Sequence, residues 1–220
     1  MTTDFADPLP PEAELALAWT RHDMRPRLRS ALELDRRLAR IVARTREPML
    51  GQMRLAWWRD AFAKPVAERP RGDAVLDALS VHWQGRESLL AAMVDGWEVL
   101  VTAERLGAAE AEQFAAGRGA FITALGGDPA APPLAARLAA AGERWALADA
   151  AAGVSDPAER AVLVETGLAR SRPAEALPRA FLGPAVLEAL AWRALRRGGR
   201  PLMEGRGAPL AALMAAIFRA

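Results

Sequence analysis

The chain has 220 residues, with 29 basic and 27 acidic side chains, no cysteine and two histidines. That composition excludes disulfides, thiolate metal sites and cysteine nucleophiles, and it makes a His-based metal centre a poor expectation. Lys64 is the sole lysine, so arginine lifts the pI to about 10.2, yet acidic and basic residues alternate rather than cluster as they do on a nucleic-acid-binding surface.

Ala and Leu, both strong helix formers, supply much of the 52% hydrophobic content. Proline and glycine are spread along the chain as helix punctuation. Residues 1–10 are expected to form a loose arm, acidic and proline-rich, unlike a signal or transit peptide. A short helix follows over residues 11–21, with a proline suited to its first turn. Residues 27–44 form a strong amphipathic helix, with Leu28, Ala31, Leu32, Leu38 and Val42 on one face. After a break at Pro48 comes a helix over residues 47–62, EPMLGQMRLAWWRDAF.

Residues 64–72 read as a Pro- and Arg-rich loop. Asp73 is a good N-cap for a helix reaching about Trp83. Helices are then expected over residues 87–106, 110–125, 134–152, 157–169, 184–197 and 209–218. No stretch alternates as a strand would, and no internal repeat is found. The expectation is one all-α domain over residues 1–220, with eight to ten helices. No apolar run reaches the ~18–20 residues of a membrane span, so the expectation is a cytoplasmic protein with, at most, peripheral contact with the inner membrane.

Three ionisable residues interrupt apolar helix faces. On a helix, Met49, Leu50, Met53, Trp57, Trp58, Ala61 and Phe62 make one broad arc, and Arg54 falls within it. Asp35 lies in the apolar stripe of residues 27–44, and Asp149 shares a face with Trp145. An arginine in such a place requires a carboxylate, an anionic ligand or water. Asp35, Arg54 and Asp149 are therefore the candidate polar centre, whether as an ion pair or as a ligand site. Most of the tryptophans read as core. Asp73 and Asp77 have the D-x-x-x-D spacing that can hold Mg²⁺ against a diphosphate, although N-capping accounts for Asp73. Gly117-Arg118-Gly119 reads as a close-packing or hinge signal.

Residues 27–62, and the segment RLAWWRD above all, resemble the amino-terminal part of the squalene/phytoene synthase family. Later segments resemble it in the same order: QFAAGRGA from Gln113, GERWALAD from Gly142, and Leu177-Pro178-Arg179. The resemblance implies an isoprenoid-synthase bundle around a central cavity, lined here by Trp57, Trp58, Phe114 and Trp145. It also implies head-to-head joining of prenyl diphosphates, ionised by Mg²⁺ on two Asp-rich motifs.

The chain departs from that pattern at both motifs. Residues 39–43 read Ala-Arg-Ile-Val-Ala, and residues 146–153 keep only Asp149. The expectation is thus a catalytically degenerate relative with no cofactor. It would bind a prenyl diphosphate or lipid, or serve as a membrane-associated assembly factor or as the partner of a catalytic paralogue. The alternative is a Mg²⁺-dependent prenyltransferase of isoprenoid, carotenoid or hopanoid synthesis.

Overall fold

The computed structural model describes residues 8–45, 47–127, 131–170 and 175–218, and within these there is no strand. Ten α-helices occur among them: α1 Pro11–Ala18, α2 Arg25–Arg44, α3 Pro48–Ala63, α4 Ala74–His82, α5 Glu87–Thr102, α6 Ala108–Gly119, α7 Pro132–Gly153, α8 Pro157–Ala169, α9 Leu182–Leu195 and α10 Gly207–Phe218. The all-α expectation holds. Residues 1–7 of the anticipated arm lie outside the described residues. Leu9, also assigned to that arm, is buried in the core, because the extended step before α1 turns it inward.

The helix boundaries follow local chemistry. Pro11, Pro48, Pro132 and Pro157 open their helices, where a missing N–H costs nothing. Asp73 accepts from the backbone N–H groups of Val75 and Leu76, both at 3.0 Å, and caps α4. Asp77 turns away to accept from Gly72 N, so this D-x-x-x-D pair serves a helix start. α6 runs on into a 3-10 segment, Ala120–Gly126, where a single helix is expected from sequence; Gly127 ends it at φ 91°. In the loop after α3, Arg69 is buried and holds the chain by donating to Lys64 O, Ser80 Oγ and Glu87 Oε1.

Helices α3, α5, α6, α7, α9 and α10 pack each on the next, in that order. α2 lies across α4 and α5, α1 docks on α9, and α8 covers α6 and α7. One hydrophobic cluster runs from Leu9 to Ala216, and a smaller one joins Leu106, Ala111, Ala115, Leu147, Ala151 and Leu163.

Glycines set the closest approaches. A Cβ on Gly96 would stand 2.6 Å from Arg118 N, and one on Gly119 would stand 2.4 Å from the Gly142 carbonyl carbon. The backbones of α5, α6 and α7 therefore touch on both sides of α6. The residue enclosed by these two contacts is Arg118.

Candidate functional site

Among the described residues, charge meets apolar walls at a buried centre where α2, α5, α6 and α7 meet and in an open groove between α2 and α3.

At the buried centre, Arg118 projects from α6 and is 2% exposed. Its Nε donates to Asp35 Oδ1 at 2.8 Å, and its Nη2 donates to Asp35 Oδ2 at 2.7 Å. The same Nη2 donates to Asp149 Oδ2 at 2.5 Å, while Nη1 reaches Ala146 O at 3.1 Å. Trp97 Nε1 supplies a further bond to Asp35 Oδ1 at 2.8 Å. The indoles of Trp97 and Trp145 lie 4.6 and 4.5 Å from the guanidinium carbon, and Phe114 lies 5.6 Å away. A planar cation is thus held edge-on by carboxylates and face-on by aromatic rings. Burial opposes the charge on Arg118, but Asp35 and Asp149 outweigh it and raise the guanidinium pKa further above its usual range.

The structure brings together Asp35, Asp149, Phe114 and Trp145 from the residues anticipated in sequence. Arg54 does not join them. Its side chain is exposed on α3, and the cation of the centre is Arg118. α3 is apolar on more than one side, and the side it buries is Gly51, Leu55, Trp58, Ala61 and Phe62, next to α5. Gly51 fixes that choice: a Cβ there would stand 2.8 Å from Thr45 Cγ2 and 3.0 Å from Val101 Cγ1. Arg54 and Trp57, which the sequence pattern assigns to a central cavity, therefore face outward.

Little space is left at the Arg118 centre. Beside Arg118, between Glu12, Asp35, Arg36, Trp145 and Asp149, the space left is about 10 Å³, room for a single water molecule. Glu12 covers this space from α1. Burial is the main force raising its carboxyl pKa above the usual range, and Asp149 adds to it.

Arg118 also decides whether Mg²⁺ suits this centre. Asp35 and Asp149 do face one another from α2 and α7, but the guanidinium stands between them at hydrogen-bonding distance from both. With one guanidinium bonded to both carboxylates, the three groups sum to a single negative charge, which is a poor match to a divalent ion carrying a diphosphate. Among the described residues, no group of three or more His, Asp or Glu is placed to hold a metal.

A second buried charge cluster, not anticipated from sequence, ties α7 to α9. Glu188 accepts from Arg137 Nη2 and Arg144 Nη1, each at 2.5 Å, and Arg144 lies over Trp192. Burial lowers the Arg144 pKa despite Glu188. Arg170 pairs with Glu143 nearby.

The groove is the larger opening, about 570 Å³, within the size range of small-molecule sites. Leu50, Met53, Trp57 and Trp58 form its apolar side with Ile41, and Arg37, Arg54 and Asp73 border it. Arg37 donates to Asp73 Oδ2 at 3.3 Å. An adjoining hollow is bordered by Arg37, Arg40, Arg44 and Arg54. Of its apolar lining, Leu50, Met53 and Trp57 are 47%, 65% and 42% exposed. The arrangement suits a molecule with an apolar tail and an anionic head. Three of these four arginines recur at i, i+3 and i+7 on α2 and the fourth comes from α3, a helical spacing that is readable in sequence once the register of α3 is known.

No protein-family model, curated protein or solved structure matches this chain.

Proposed function

We propose that this chain is a non-catalytic protein of the squalene/phytoene synthase type that binds an isoprenoid or lipid with an acidic head in the groove between α2 and α3. The observation that carries the reading is the groove's division into an apolar half, Leu50, Met53 and Trp57, and an arginine half, Arg40, Arg44 and Arg54. The Arg118 centre supports it from the other side: a guanidinium engages Asp149, the one carboxylate kept at either motif position, where a catalytic relative would need open carboxylates. On this reading the protein needs no metal ion, and the head group is neutralised by guanidinium groups alone.

The test is titration with farnesyl and geranylgeranyl diphosphate, with and without Mg²⁺, following tryptophan fluorescence and pyrophosphate release. Saturable binding that ignores Mg²⁺, releases no pyrophosphate and loses its signal in Trp57→Phe is the expected result. Mg²⁺-dependent pyrophosphate release would overturn it in favour of a prenyltransferase. Absence of binding would also overturn it and turn attention to co-purifying proteins, whether a paralogue or a membrane-complex subunit.

A further inference from the structure

α10 carries no charged residue from Gly207 to Phe218. Its inward side is small: Ala208, Ala212, Ala215 and Ala216 are buried, and the helix packs on α9. Its outward side is large and apolar. Leu210, Leu213, Met214 and Ile217 are 59%, 44%, 45% and 51% exposed, at the i, i+3, i+4, i+7 spacing of a single stripe. A helix with apolar residues on both sides is ordinarily covered on both sides.

The charge next to the stripe indicates what covers it. Residues 193–206 contain five arginines, Arg193, Arg196, Arg197, Arg200 and Arg206, against a single acid, Glu204. Glu204 is already engaged by Arg197 at 3.7 Å and Arg200 at 3.1 Å. Two of these guanidinium groups lie at the start of α10: a Cβ on Gly207 would lie 3.2 Å from Arg193 Nη2, and one on Gly205 would lie 3.9 Å from Arg197 Nη1. Arg206 directly precedes the helix in the chain. Arg196, Arg200 and Arg206 are exposed.

We infer that α10 lies flat on an anionic lipid surface, with Leu210, Leu213, Met214 and Ile217 in the acyl boundary and Arg196, Arg200 and Arg206 among the phosphate head groups. In-plane helices bind by this combination of an apolar stripe and neighbouring cations. The length agrees with docking and not with crossing: no described helix is long and apolar enough to span a bilayer. A second copy of the chain is a poorer occupant. Four half-exposed side chains offer on the order of 400 Å² per copy, short of the ~600 Å² per partner at the low end of stable interfaces. No carboxylate in α10 is available to pair with the arginines of another copy.

The experiment is co-sedimentation of the full chain with phosphatidylcholine vesicles, alone and with about 30% phosphatidylglycerol, at low and high salt. Binding to the acidic vesicles only, weakened by salt and at least tenfold weaker in Leu213→Glu/Ile217→Glu, is the expected result. Circular dichroism checks that the variant is folded. Should it not fold, Arg196→Gln/Arg200→Gln/Arg206→Gln keeps the stripe and is expected to lose the preference for acidic vesicles.

Absence of binding to acidic vesicles, or equal binding by variant and parent, overturns the inference. So does a dimer in sedimentation velocity that Leu213→Glu dissociates, which would assign the stripe to a second copy. Farnesyl diphosphate titration of the α2–α3 groove is unaffected by the α10 variants, so either proposal can fail without the other.

Discussion

Arg118 and Asp35, 83 positions apart, meet as a bidentate pair with both side chains 2% exposed. Such a pair adds little net stability compared with apolar residues of the same shape, yet removing one member strands a buried charge. Arg118→Leu is therefore expected to cost about 3–5 kcal/mol in urea unfolding. Arg118→Lys should recover little, because an ammonium cannot reproduce the two parallel bonds. Asp149 is 28% exposed and accepts one bond, so Asp149→Asn should cost less than Asp35→Asn. Equal costs for these two substitutions would show that Asp35 is not the principal counter-ion.

The glycine contacts on either side of α6 give a sharper steric test. Gly119→Ala, Gly142→Ala and Gly96→Ala each place a methyl group within 2.3–2.6 Å of backbone atoms. Each is expected to destabilise by roughly 1–3 kcal/mol or more, in the manner of overpacking. Gly153→Ala is the control. A Cβ there would meet nothing within 4 Å and its φ is not positive, so the change should be neutral or stabilising by about 0.4–1 kcal/mol. Thermal melts of the four proteins decide the matter.

Glu12 makes stability depend on pH. Its carboxyl pKa is raised in the folded state above the reference value of 4.5, so folding favours the protonated form. Its contribution is present in full below that value and is lost as pH rises through the folded-state pKa. Glu12→Gln should raise Tm at pH 7 and flatten this part of the stability–pH curve. A parallel curve for variant and parent would show that Glu12 is solvated.

Arg54 separates stability from binding. Exposed on α3, it can be changed to Leu with a stability change within about 0.5 kcal/mol. If the groove holds an anionic head, the same variant should weaken farnesyl diphosphate binding several-fold. An unfolded Arg54→Leu protein would instead restore Arg54 to a buried role.

Much of the fold is legible in the sequence because proline, glycine and apolar spacing mark each helix separately. Asp35 and Asp149 are legible for a related reason: each interrupts an otherwise clean stripe. Their partner is not. Arg118 sits in a short Ala- and Gly-rich helix whose small residues give no pronounced face, so periodicity cannot reveal that it points inward. The adjacent signal, Gly117 and Gly119, does report close packing, and it is that packing which draws Arg118 between the helices. Arg54 misleads for the opposite reason. Leu50, Met53 and Trp57 form an apolar side as convincing as Leu55, Trp58 and Phe62, and only the contact of Gly51 with Thr45 and Val101 selects between them.

One guanidinium joins α6 to α2 and α7, and Trp97 brings in α5 through the shared Asp35 oxygen. These links join positions 31, 62 and 83 residues apart, so none closes until segments distant in sequence have come together. Any partial opening that withdraws one of these helices leaves a charge stranded for the others, so they should open as a unit. Amide protons in the middle turns of α2, α5, α6 and α7 should then exchange with solvent at a common, slow rate, while those of α10 exchange independently and sooner.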